Sequence, residues 1–134
     1  MPHLVLLYSG NLEAETDMTA LCRSLADAML TVRDEQGQQV YPTGGVRVFA
    51  YPAAHFAVAD GERDYAFIYL NLRMGRGRTE EVKQRAGETL LAAAKAYLAP
   101  LFAQRYLGLT LQIDEGQEVF DAKHSTIHPL FRKP

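Results

Sequence analysis

The chain contains a single cysteine, Cys22, so no disulfide can form within it. It also lacks an excess of positive charge. Lys and Arg number 14 against 16 Asp and Glu, a net charge of −2, which removes the electrostatic footprint of a nucleic-acid-binding protein. No apolar run approaches the roughly 18 residues that a membrane span requires. The opening has neither the charged nor the apolar region of a secretory leader, and a cytoplasmic location is expected. Metal and cofactor signatures are absent too. His124 and His128 have ligand spacing, but no third ligand accompanies them and Pro129 follows at once. Gly75-x-Gly77 lacks the third glycine and the acidic follower of a dinucleotide site.

What is present suits one domain. At 134 residues, a single core can bury about two-thirds of the unfolded surface. The apolar stretch Pro2 to Tyr8 predicts a strand covered on both faces. Thr16 or Asp17 then offers an N-cap, and Met18, Leu21, Cys22, Leu25, Ala28 and Met29 recur at helical spacing. Residues 34–45 are polar and hold Pro42, Gly44 and Gly45, which reads as a long loop. A second strand is expected over Val46 to Tyr51, resuming after an edge or bulge at Pro52. Asp60-Gly61 is a hairpin signal leading into a third strand, Tyr65 to Arg73. Thr79 caps the best helical pattern, in which Val82, Ala86, Leu90, Ala93, Ala94 and Tyr97 share a face. Pro100 is expected to end or kink that helix. Leu109, Leu111 and Ile113 alternate in a last strand.

The order is strand, helix, strand, twice over. Right-handed crossovers make each half a β-α-β unit. The expected fold is α+β: a four-stranded mixed sheet with both helices on one face. Two helices cover one face only, yet Leu4 to Leu7 and Ala66 to Leu70 are apolar on both. A partner subunit is the economical cover for the other.

The second residue carries the chemistry. A small residue after the initiator permits removal of Met1, which would expose Pro2 as a secondary amine. Free α-amino groups titrate near roughly pH 8, and burial lowers that value because the charged form loses solvation. A buried Pro2 amine would therefore accept protons near neutral pH, where general-base catalysis works best. The plain alternative is a proline at a strand start, where no ladder donor is needed. Arg47, flanked by Val46 and Val48, and Arg78, at a glycine-rich approach to a helix, are candidate carboxylate-binding residues. Arg76 reads as a solvated surface charge, and His3 and His55 have no evident partner in the sequence.

Several segments together resemble a known family. They are Pro2-His3, Gly45-Val46-Arg47, Asp64-Tyr65-Ala66-Phe67 followed by Gly75-x-Gly77-Arg78, Gln84 to Glu88, and His128-Pro129-Leu130-Phe131. Their order and spacing resemble the 5-carboxymethyl-2-hydroxymuconate isomerase family of the tautomerase superfamily. The resemblance implies homotrimers of β-α-β repeats and a step in the breakdown of aromatic compounds. It implies catalysis by the N-terminal proline without metal or organic cofactor. It places that proline at Pro2 and the substrate-binding arginines at Arg47 and Arg78. It also makes residues 1–134 one tautomerase-like domain, with the tail 116–134 packed on a neighbouring subunit. Three departures bear on the substrate: a longer loop at 34–41, Gly10 in place of an acidic residue, and Arg76 between the two glycines. A phenylpyruvate-type tautomerase, or a non-catalytic small-ligand module of ferredoxin-like topology, remain the alternative readings.

Overall fold

In the computed structural model, residues 2–132 are described. Strand β1, His3–Ser9, leads through a 3-10 turn at Gly10–Leu12 to helix α1, Met18–Leu30. Asp17 proves to be the cap of α1, its carboxylate accepting from the Ala20 N–H at 3.0 Å. A second 3-10 turn, Thr43–Gly45, precedes β2, Arg47–Ala53. Then come β3, Tyr65–Met74, helix α2, Glu80–Gln104, and β4, Tyr106–Glu115. The Thr79 hydroxyl caps α2 by accepting from the Val82 N–H.

The sheet is mixed and four-stranded, in the order β2-β1-β3-β4. Strand β1 runs parallel to β2 and antiparallel to β3, and β3 runs parallel to β4. Side chains alternate across the pleat. Leu4, Leu6 and Tyr8 of β1, and Ala66, Ile68, Leu70, Leu72 and Met74 of β3, point into a core closed by Leu21, Leu25 and Met29 of α1 and Leu90, Ala94 and Leu98 of α2. Each fully buried leucine contributes about 1.5–3 kcal/mol by leaving water.

Two expectations are corrected. Asp60-Gly61 does not form a hairpin joining the halves, because β1 lies between β2 and β3. The turn exists locally, with Gly61 N–H donating to Val58, but it sits inside a longer connection over residues 54–64. Nor does Pro100 end α2, which continues to Gln104. The carbonyl that Pro100 cannot satisfy belongs to Ala96, and both residues face solvent, where water can serve it. Leu98 and Leu101 hold the last turn on the sheet.

The second sheet face is open. Leu7, Phe49 and Tyr51 are each about half exposed there, and Phe67 is 39% exposed. Phe67 lies over Gly108, where a Cβ would come within 2.3 Å of its ring. The tail returns to its own chain, with the turn His128–Phe131 against Thr43–Gly45. A Cβ on Gly44 would meet the His128 backbone at 2.8 Å. Val119 and Phe120, earlier in the tail, stay exposed. No helix among the described residues is long and apolar enough to cross a membrane.

Candidate active site

Register builds the site. His3 lies directly across from Arg47 on one side and from Arg73 on the other. The three residues therefore form one row on the open face at the start of β1. Neighbouring strands are about 4.8 Å apart, so the two arginines flank the imidazole at close range. Pro2 immediately precedes this row and is buried. Consecutive Cα atoms are about 3.8 Å apart, so Pro2 cannot lie far from it.

Arg47 is firmly held. Its Nε donates to His3 Nδ1 at 3.0 Å, and its Nη1 donates to the Gly45 carbonyl at 2.9 Å. A guanidinium has donors only, so this contact requires a neutral imidazole. The His3 pKa is correspondingly lowered, first by burial and then by the charges of Arg47, the amino terminus and Arg73, with Glu118 opposing.

The row opens into a cavity of about 320 Å³, lined also by Gly75 and by Glu118, Asp121 and Lys123 of the tail. Lys123 is paired with Asp121 at 2.6 Å. Arg73 has a weaker partner: Glu118 stands 3.9 Å away, and both side chains are about half exposed.

Arg78 lies in a second hollow, of about 400 Å³, beside Asp34, Glu35, Arg76 and Thr79. Its Nη1 donates to the Gly75 carbonyl at 3.2 Å and its Nη2 to the Val40 carbonyl at 3.4 Å. The guanidinium carbon sits 5.2 Å from the centre of the buried Tyr41 ring. Arg47 and Arg78 thus do not share one cavity within the chain. They stand on either side of Gly75, which lines the first hollow and anchors the residue of the second. Gly77, between Gly75 and Arg78 in the chain, has φ of +108°, a backbone state that suits glycine. Arg76 turns to the tail, donating to the Gly116 carbonyl at 3.1 Å.

Two further cations are held by carboxylates. A wider groove of about 770 Å³ between α2 and β4 contains Lys83, which bonds both Glu80 and Glu115. Across the sheet, Arg105 pairs with Glu15 and with Asp64. Among the described residues, no three His, Cys, Asp or Glu side chains converge as a metal site.

Sequence reasoning missed His3, Arg73 and Glu118. The alternation of β3 puts Arg73 on the face opposite Leu72 and Met74, so half of the signal was in the sequence. The other half is the register that sets Arg73 beside His3, and no local pattern encodes it.

A family model for 5-carboxymethyl-2-hydroxymuconate isomerase matches residues 2–131. The chain belongs to this isomerase family. A 5-carboxymethyl-2-hydroxymuconate Delta-isomerase of Escherichia coli is 30% identical over 132 residues, covering 98% of this chain and all of that protein. The crystal structure of a 5-carboxymethyl-2-hydroxymuconate delta-isomerase shares 62% identity with a TM-score of 0.96, covering 100% of this chain and 95% of that one. An isomerase of the same description from Deinococcus radiodurans R1 shares 37% identity with a TM-score of 0.87, over 98% and 95% of the two chains. Native fused 4-OT, at 20% identity and a TM-score of 0.60 over 97% and 99%, shares the fold.

Proposed function

We propose that this isomerase ketonises a 2-hydroxymuconate-type unsaturated di- or tricarboxylic acid, with the Pro2 nitrogen as the proton carrier. The observation that carries the reading is the buried Pro2, one residue from His3, which lies between Arg47 and Arg73 in a row that opens into a cavity. The enol hydroxyl loses its proton and becomes a carbonyl. The double bonds shift along the conjugated chain, and a chain carbon gains a proton. Proton count is unchanged, so one base that accepts and returns a proton suffices, and the step consumes no other reactant.

This role requires that Met1 be removed, because an acylated proline nitrogen is not basic. Burial and the neighbouring arginines both disfavour a charged amine, which keeps the base free near neutral pH. Arg47 and Arg78 hold substrate carboxylates, and their charge stabilises the enolate oxygen as it develops. Two guanidiniums placed on either side of Gly75 suit a substrate with carboxylates at both ends, and favour it over a monocarboxylate of the phenylpyruvate type.

The active unit in this reading is a homotrimer assembled through the open face, with the exposed stretch of the tail around Val119 and Phe120 lying against a neighbour. The half-exposed Leu7, Phe49 and Tyr51 support it. A fused 4-OT of the same fold has been described as a symmetric trimer.

The test combines N-terminal mass analysis with an ultraviolet assay of 2-hydroxymuconate and 5-carboxymethyl-2-hydroxymuconate ketonisation. Turnover by a chain that begins at Pro2 is expected. Absence of turnover with both compounds would overturn the proposal.

A further inference from the structure

Arg73 differs from the other cations that line its cavity, Arg47 and Lys123. Arg47 is fixed by His3 and Gly45. Lys123, Lys83 and Arg105 each have a carboxylate within 3.2 Å. The carboxylate directly across from Arg73 in the β3–β4 register is Asp114. Asp114 instead accepts from Asn71 Nδ2 at 2.8 Å and makes no ion pair with Arg73. The remaining partner, Glu118, comes from the tail, at the outer limit of an ion pair. A guanidinium facing a cavity, with one loose and exposed carboxylate near it, is suited to exchange that carboxylate for another.

The row also sets a spacing. Arg47 and Arg73 flank His3 from adjacent strands, so their Cα atoms are about 10 Å apart. His3 is neutral in its contact with Arg47, so it does not add a third charge to the row. Two guanidiniums on one face, opening into one cavity, can hold two carboxylates of the same molecule. Arg78, beyond Gly75, adds a third fork. Three forks match three carboxylates. The proteins that this chain is similar to are described as acting on a muconate with an added carboxymethyl group, and such a molecule has three carboxylates.

We propose that Arg73 is a specificity-determining residue: it binds the third carboxylate of a tricarboxylate substrate, which displaces Glu118 from it. This rests on the function proposed above and names the carboxylate count that the site selects.

The experiment compares wild type, Arg73→Gln, Arg73→Lys and Glu118→Gln on 2-hydroxymuconate and on 5-carboxymethyl-2-hydroxymuconate. For Arg73→Gln, kcat/KM for the tricarboxylate should fall about ten- to a hundredfold, the loss of one charge-assisted pair. The dicarboxylate should change less than about twofold, since its two ends stay with Arg47 and Arg78. Lysine should restore only part of the loss, because it keeps the charge without the fork. Glu118→Gln should lower KM for the tricarboxylate and leave the dicarboxylate alone.

Calorimetric titration with two saturated probes, tricarballylate and glutarate, supplies a readout that needs no turnover. Wild type should bind tricarballylate more tightly, and Arg73→Gln should abolish the difference. Equal losses on both substrates, or no preference in wild type for tricarballylate, would overturn the inference. An unchanged Glu118→Gln would do the same, and this exposed position keeps the test open if Arg73→Gln fails to fold. Wild type that turns over neither muconate would refute the broader function instead, while the titrations would still report on Arg73.

Discussion

The Arg47 guanidinium donates to His3 Nδ1 at 3.0 Å across the β1–β2 pair, so a cation is positioned by a residue that can itself become one. Protonation of His3 would remove the acceptor and place three positive charges in a row. The imidazole is therefore a support for Arg47 only while it is neutral.

A pH dependence follows from this pair. The folded-state pKa of His3 lies below its unfolded value of 6.5, through burial first and Arg47 next. Between these two values the unfolded chain binds more protons than the folded one, so stability rises with pH. The contribution of His3 is thus present above pH 6.5 and is lost as pH falls through the depressed value. Urea denaturation from pH 7.5 downward should show wild type losing more stability than His3→Asn. Parallel curves for the two proteins would remove His3 as the titrating group.

The N-terminus decides the catalytic reading. Removal of a general base typically costs about a hundredfold to ten-thousandfold in rate. A chain made to retain Met1 should lose activity on that scale, with its melting temperature nearly unchanged. Pro2→Ala keeps a primary amine and should retain part of the rate. Full turnover by a chain shown by mass to keep Met1 would end the Pro2 mechanism.

Arg47 and Arg78 should separate by kinetic effect. An arginine that only anchors substrate raises KM in its alanine variant, whereas one that stabilises the enolate also lowers kcat. Each loss is expected at about 1.5–3 kcal/mol. Arg76→Ala is the internal control, because Arg76 is engaged with the Gly116 carbonyl. Steady-state rates for the three variants check this, and wild-type behaviour in both Arg47→Ala and Arg78→Ala would place the clamp elsewhere.

Assembly can be tested on the open face. Sedimentation at micromolar concentration should give three chains per particle. Phe49→Glu puts a charge into the half-exposed apolar patch and should dissociate the particle while leaving the helix-covered core intact. A wild-type chain that sediments as a stable, well-folded monomer would contradict the trimer.

Much of the fold was legible in the chain. The capping residues Asp17 and Thr79, the helical stripes of α1 and α2, and the alternation in β3 and β4 are local signals, set by neighbours two to four residues away. They determined the β-α-β repeat, the helix-covered face and the surplus of apolar side chains on the other. The ordered motifs around Pro2, Arg47 and Arg78 also identified the family.

Tertiary structure decided the rest. Pro100 reads locally as a helix stop, but Leu98 and Leu101, buried on the sheet, carry α2 past it. Asp60-Gly61 reads as a hairpin, but the insertion of β1 between β2 and β3 makes it a turn within a longer connection. Above all, the sequence by itself showed His3 without a partner and Arg73 as the end of a strand. Only the register of β1 against both neighbours sets them in one row with Arg47, because strand pairing depends on residues more than 40 positions apart and leaves no mark in local periodicity.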